Sequence, residues 1–278
     1  MKDYLIALDL DGTLLYDWST IHKKTVAYLK SLKAMGHKLV IATGRPYRSS
    51  IGFYDSLGLN TPLINYNGAL VTWKNNPAFT PVNITLNKDD VIDIFTKNAP
   101  YIYNAFCEIR DDIYLLEDRE DIAPLLHNFN GAKLHVGPLH ETLPAGTNGC
   151  IIIAHKSQGQ HIENYINTHY KDKIGCRNWG DDNRFIIELF SPKTNKGEAL
   201  KNVARSLGIP RERIIAFGDG MNDVEMLAYA ATGVAVNNAH ESLRAVADVI
   251  SPHDHKDHPI ERYLSKHLDD APDFDPSL

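Results

Sequence analysis

The stretch Tyr4-Leu5-Ile6-Ala7-Leu8-Asp9-Leu10-Asp11-Gly12-Thr13 decides how the rest of this 278-residue chain is read. Tyr4 to Leu8 is a short unbroken apolar run, too short for a signal peptide or a bilayer span, and Asp9 stops it at once. Such a run reads as a strand buried on both faces, the kind that parallel sheets use. Alternate residues on an extended strand point to opposite faces. Asp9 and Asp11 therefore have different tasks unless the chain turns between them, and Gly12 allows such a turn.

Working outward, Ile21, Thr25, Tyr28, Leu29, Leu32 and Met35 recur at helical spacing, with Gly36 placed to end the helix. Lys38 to Ala42 is a second buried strand running into Thr43-Gly44-Arg45-Pro46. A helix over Tyr47 to Leu57 and a strand over Pro62 to Asn65 follow. Strand, helix, strand, helix, strand predicts a parallel sheet covered on both faces. From about Val82 the texture changes. Asn87 is placed to cap a helix carrying Val91, Ile94 and Phe95, and strands are expected over Tyr101 to Glu108 and Asp112 to Leu116. The doubly wound pattern returns with a helix over Lys196 to Leu207, a strand over Arg213 to Phe217, a helix over Asn222 to Tyr229 and a short strand over Gly233 to Val236. The fold expected is α/β, a Rossmann-like doubly wound parallel sheet built from residues 1–82 and 188–278. Residues 83–187 form an inserted α+β domain of ordinary domain size. The Asp- and Pro-rich tail from Asp269 is expected to be poorly ordered.

The composition, 43% hydrophobic and 23% charged, is that of a soluble globular protein. A formal charge of -6 gives no field to recruit nucleic acid, so attraction of phosphorylated compounds must come from a local site and a bound cation. Three scattered cysteines, Cys107, Cys150 and Cys176, form neither a disulfide framework nor a cysteine-built zinc site and read as buried thiols. The expectations are a cytoplasmic location, a monomer or small homo-oligomer, and no nucleic-acid or membrane partner.

Ligands of open α/β sheets bind beyond the carboxyl ends of the strands. Three expected strands end in Asp9-Leu-Asp11-Gly-Thr13, in Thr43-Gly44-Arg45, and in Gly218-Asp219-Gly220-Met-Asn222-Asp223. Four carboxylates would converge on one rim, and like charges so close call for a cation. Oxygen ligands without His or Cys suit Mg2+. Each segment alone has a plainer reading: a surface turn at Asp9 to Thr13, helix caps at Thr43 and Asn222, a solvated lysine at Lys196. Their order, each at a strand-to-helix junction, favours chemistry.

These segments resemble those of the haloacid dehalogenase-type hydrolases, in particular the Cof-type (type IIB) sugar-phosphatase-like branch. The resemblance rests on Ala7-Leu-Asp9-Leu-Asp11-Gly-Thr13-Leu-Leu15, Ala42-Thr43-Gly-Arg-Pro46, Asn195-Lys196-Gly-Glu-Ala-Leu200 and Phe217-Gly-Asp219-Gly-Met-Asn222-Asp223-Val-Glu-Met226, with Asn65-Tyr-Asn67-Gly68-Ala69 ahead of the insert. It implies a Mg2+-dependent phosphatase acting on small phosphate monoesters, with the insert as a substrate-selecting cap. It further implies Asp9 as nucleophile and metal ligand, and Asp11 as acid and base whose carbonyl also binds the metal. Asp219 and Asp223 complete the metal site. Leu10, Thr43, Gly44, Lys196 and Asn222 would hold the phosphoryl group.

Two features depart from that pattern. Gly220 stands where the branch often has Asn, and Asp254-His-Lys-Asp-His-Pro259 replaces an acidic, glycine-containing stretch. His253, His255 and His258 fit no ligand motif and are expected to lie in a solvated loop. A phosphomutase or phosphotransferase on the same core is the alternative reaction, since both share the aspartyl phosphate. A regulatory protein that has lost catalysis would lack Asp9, Asp11 or Lys196, and all three are present. The Asp-x-Asp pair also suits phosphatases rather than dehalogenases. Arg110, Arg119, Arg177, Trp179, Asp181 and Arg184 are the candidate substrate contacts of the insert.

Overall fold

The computed structural model describes residues 3–180, 184–268 and 271–275. Asp181 lies outside the described residues. The chain divides into two compact units, one of Met1–Arg45, Ser50–Val82 and Asn195–Leu278, the other of Pro46–Ser49 and Asn83–Thr194.

The first unit is built on parallel strands in the order Val249–Ile250, Thr232–Ala235, Ile214–Gly218, Leu5–Leu8 and Lys38–Ile41. Leu5–Leu8 lies at the join, paired with Ile214–Gly218 on one side and Lys38–Ile41 on the other. The apolar run is buried throughout because both faces are covered. Leu5 and Ala7 pack with Ala199, Leu200, Val203 and Leu227 of the C-terminal helices. On Ile214–Gly218, Phe217 meets the ring of Tyr263 from the helix Pro259–His267. The expected α/β core with a parallel sheet is thus present, drawn from both ends of the chain.

Element boundaries follow local chemistry. The helix Lys196–Leu207 starts where the Asn195 side chain accepts the amide of Glu198, and stops at Gly208 in a left-handed conformation, φ 67°. The strand expected over Pro62 to Asn65 is shorter, Leu63–Asn65, and is not an ordinary member of the parallel sheet. It touches that sheet at one bridge, Ala42 to Ile64, and turns back antiparallel onto Leu70–Thr72. The reversal runs through Tyr66 and Asn67, both at positive φ. The helix expected from Asn222 begins as a 3-10 turn, Met221–Asp223, before Val224–Tyr229.

The second unit carries a sheet ordered Gly175–Asn178, Arg184–Phe190, Gly149–His155, Ile102–Ile109, Asp112–Leu115 and Leu134–Val136, antiparallel except for the last pair. The helix Lys88–Asn98 is capped by Asn87, whose side chain accepts from Asp89 and Asp90. Among the described residues no helix is long and apolar enough to cross a membrane.

One expectation about the C-terminal region changes. His258 is not solvated. Its ring nitrogen Nδ1 lies 3.0 Å from the buried Glu261 carboxylate, and its ring meets His22 edge-on at 4.5 Å. Of the tail from Asp269, residues 269–270 and 276–278 lie outside the described residues; within 271–275, Phe274 packs against Tyr28 and His258.

A close approach of helices sets the first prediction. A Cβ on Gly197 would lie 2.4 Å from the Glu225 carbonyl oxygen and 2.6 Å from its carbon, both backbone. By helix propensity alone Gly197→Ala would gain about 1 kcal/mol. It should instead lose about 1–3 kcal/mol as the two helices are forced apart, read as a lower urea midpoint at unchanged slope.

Candidate active site

The site is assembled within the first unit at the carboxyl ends of Leu5–Leu8, Lys38–Ile41 and Ile214–Gly218. Asp9 follows the first strand directly, and its amide donates to the Phe217 carbonyl of the neighbouring strand at 3.1 Å. Gly12 stands at φ +72°, and a Cβ there would sit 2.3 Å from Asp219 Oδ2. Both the turn and the approach of Asp219 therefore require glycine.

Lys196 is the centre of the arrangement. It is fully buried, and its ammonium donates to Asp9 Oδ1 at 2.5 Å and to Asp223 Oδ1 at 2.6 Å. The plainer reading of a solvated lysine is excluded. The other oxygen of Asp223 accepts the amides of Asp219 and Gly220 at 3.1 and 3.0 Å, which fixes the loop carrying Asp219. Thr13 donates to Asp219 Oδ1 at 3.2 Å.

Asp9, Asp219 and Asp223 each offer a carboxylate oxygen within 4.8 Å of the others. Burial pushes the Asp9 carboxyl well up, with Asp223 adding to the effect and Lys196 opposing it. Asp219 is pushed up to about 6, first by burial and then by Asp223. Burial works against the charge on Lys196, but Asp223 and Asp9 outweigh it and hold the ammonium above its ordinary range. Counting Asp11, four carboxylates stand against the two cationic side chains Lys196 and Arg45, so full ionisation would leave two negative charges uncompensated. An all-oxygen donor set with that surplus fits a hard divalent cation.

The Asp11 carboxylate is not part of the three-carboxylate cluster. Arg45 takes it from the side, Nε to Oδ2 at 2.8 Å and Nη2 to Oδ1 at 2.5 Å. The strand ends at Leu8 and Asp11 lies in the turn Leu10–Leu14, so the two aspartates are divided by their partners and not by strand alternation: Asp9 bonds Lys196, Asp11 bonds Arg45. Thr43 is buried, its hydroxyl accepting the Arg45 amide at 3.1 Å, which leaves the hydroxyl proton available to a ligand. Gly44 lies against Asn67, whose amide atoms a Cβ would meet at 3.3 Å. Asn222 donates to Asn67 Oδ1 at 2.9 Å rather than capping a helix. Leu10 is fully buried and its side chain is apolar, so its only polar groups are those of its backbone.

Arg45, Asn67, Thr13 and Asn238, which donates to the Gly12 carbonyl at 2.8 Å, were not expected to take part. The Asn-Gly turn at 67–68 was the available signal for Asn67; for Asn238 there was none. In the second unit, Arg119 lies over the Tyr103 ring at 4.4 Å and Arg184 pairs with Asp121 at 3.1 Å, while Tyr103 donates to Asp121 at 2.9 Å. Trp179 is exposed. Arg177 pairs with Glu188 at 3.5 Å, and Arg110 presents its amide to Asn148 at 2.9 Å.

A family model described as haloacid dehalogenase-like hydrolase matches residues 6–264. The chain belongs to that family. It is 35% identical over 268 residues to the 5-amino-6-(5-phospho-D-ribitylamino)uracil phosphatase YitU of Bacillus subtilis (strain 168), covering 96% of this chain and 98% of that one. It is 26% identical to the pyridoxal phosphate phosphatase YbhA of Escherichia coli (strain K12), covering 96% and 100%. The X-ray structure of TM0651 from Thermotoga maritima shares the fold at a TM-score of 0.81 and 24% identity, covering 98% and 100%. This haloacid dehalogenase-like hydrolase is accordingly an enzyme acting on phosphoric monoesters, of the Cof-type branch.

The raised Asp219 sets a pH prediction. In metal-free protein the folded state binds this proton more tightly than the unfolded chain. The contribution therefore favours folding at acid pH and is lost as pH rises from about 4 through about 6. Asp219→Asn should raise the metal-free Tm at about pH 7 and leave it unchanged near about pH 4, measured by thermal unfolding in chelator. Equal Tm values for variant and wild type at both pH values would show that Asp219 carries no such burden.

Proposed function

We propose that this protein is a Mg2+-dependent phosphatase that hydrolyses small phosphate monoesters, sugar phosphates or related phosphometabolites, through an aspartyl phosphate on Asp9. The observation that carries the reading is the buried Lys196 ammonium bonded to both Asp9 and Asp223, with Asp219 inside the same oxygen cluster. The two relatives, acting on a phosphorylated ribityl compound and on pyridoxal phosphate, support a small phosphometabolite.

In the first step an Asp9 carboxylate oxygen attacks phosphorus and the bond from phosphorus to the leaving oxygen breaks. Asp11 gives its proton to that oxygen. In the second step a water oxygen attacks the phosphorus while Asp11 takes the water proton, releasing inorganic phosphate and restoring Asp9. Two of the three Lys196 donors hold carboxylates, leaving the third for a phosphoryl oxygen. The Thr43 hydroxyl and the amides of Leu10 and Gly44 supply further donors, with Asn222 close by. Asp9, Asp219 and the Asp11 carbonyl, with Asp223 beside them, would hold a magnesium ion that neutralises charge on the phosphoryl group. The second unit is assigned the part of a substrate-selecting cap.

The test is phosphate release from a panel of phosphometabolites with and without Mg2+. Chelator should abolish release and Mg2+ restore it. Asp9→Asn should lower turnover by roughly 10³-fold or more with thermal unfolding intact. Full activity in that variant would sink the mechanism, and an isomeric phosphate ester in place of inorganic phosphate would turn the reading to a mutase.

A further inference from the structure

Arg45 is held more firmly than an ion pair alone would explain. Its amide donates to Thr43 Oγ1 at 3.1 Å, and its carbonyl accepts from Asn65 Nδ2 at 3.0 Å and from the Tyr66 amide at 3.3 Å. Its guanidinium lies 5.6 Å from the centre of the Phe53 ring. Only 8% of the side chain is exposed, against 31% for Asp11. From this fixed base the fork reaches both Asp11 oxygens and, through Nη2, the Trp18 carbonyl at 2.7 Å. One side chain thereby sets the plane of the Asp11 carboxyl and ties down the loop that follows it. That loop carries Trp18 in the open, 80% exposed.

We propose that Arg45 is a positioning residue acting through Asp11, holding that carboxyl for proton transfer to and from the oxygens that leave and enter at phosphorus. This rests on the phosphatase reading above. A bidentate guanidinium fixes both distance and plane of a carboxylate, whereas a lysine ammonium at the same place is a point charge that fixes neither. Arg45 is held by backbone contacts on both sides and by an aromatic face, the support that a site group needs to keep its geometry. It transfers no proton itself, because a guanidinium does not deprotonate in proteins. Its effect should therefore scale with how much the reaction needs Asp11.

The experiment is a double-mutant cycle on two substrates. One is a sugar phosphate that the wild type hydrolyses, whose alkoxide leaving group needs a proton. The other is p-nitrophenyl phosphate, whose phenolate leaves without one. Single-turnover measurements isolate the step that expels the leaving group. Arg45→Ala should slow it about 10²-fold on the sugar phosphate and less than about threefold on the aryl ester. In an Asp11→Asn background, Arg45→Ala should change either rate by no more than about twofold. Arg45→Lys should recover only part of the loss. Equal losses on both substrates, or an undiminished loss without the Asp11 carboxylate, would overturn the inference and make Arg45 a general support. Should Arg45→Ala fail to fold, Arg45→Lys and Arg45→Gln carry the same comparison. An active wild type with no response to any Arg45 variant overturns this inference alone. A folded wild type that releases no phosphate from either ester overturns the phosphatase reading and this inference with it.

Discussion

The structure depends on one buried ammonium. Lys196 bonds Asp9, 187 positions away in sequence, and Asp223, 27 positions away, with no exposure of its own. Removing it would leave two carboxylates facing each other without a counter-charge, a defect that costs about 3–5 kcal/mol in buried pairs. The interaction therefore helps to hold a split domain together: the N-terminal strand, the helix that begins at Lys196 and the turn at Met221–Asp223 meet at one point. Burial first, and the Asp223 charge second, push Asp9 and Asp219 towards their neutral forms. A site in that condition is held in a charge state that a bound cation would relieve, and the chain gives up some stability for it.

Much of this was legible because each signal sat at a junction that physics makes informative. An unbroken apolar run such as Leu5–Leu8 has one comfortable home, the middle of a parallel sheet. The residues after it must then lie at the carboxyl-end rim. Gly12 and Gly208 announced their turns, and both stand at positive φ. Asn87 announced a helix start through a side chain that accepts backbone amides. Even the strand that departs, Leu63–Asn65, was placed correctly along the chain. Its antiparallel return could not be read because it depends on left-handed conformations at Tyr66 and Asn67 that residue type only weakly favours.

What stayed hidden has a common cause. Arg45, Asn67 and Asn238 act through partners distant in sequence; the Thr43-Gly44-Arg45 segment and the Asn-Gly turn at 67–68 marked the first two but named no partner, and nothing local marked Asn238. His258 was read as a solvated loop residue because the spacing of the three histidines fits no ligand motif, yet it sits beside Glu261 and against His22 and Phe274. Composition reports what surrounds a residue along the chain; burial reports what surrounds it in space. In the second unit the same gap is wider. Arg119, Arg184, Tyr103 and Asp121 gather from three separated segments, whereas Arg177, equally basic in the sequence, pairs with Glu188.

The two aspartates of the opening segment show how partner chemistry can divide like residues. Asp9 faces a compact ammonium, and Asp11 faces a planar fork. A nucleophile must rotate and approach phosphorus as its bond forms, and a point charge tolerates that movement because it imposes no plane. An acid and base works over a narrow range of distance and direction, and a fork supplies both constraints. The pairing seen here gives the freer partner to the residue proposed to form a bond and the stricter partner to the residue proposed to move a proton. Strand alternation alone could say only that the two carboxylates differ. The identity of the cation beside each supplies the reason for which does which.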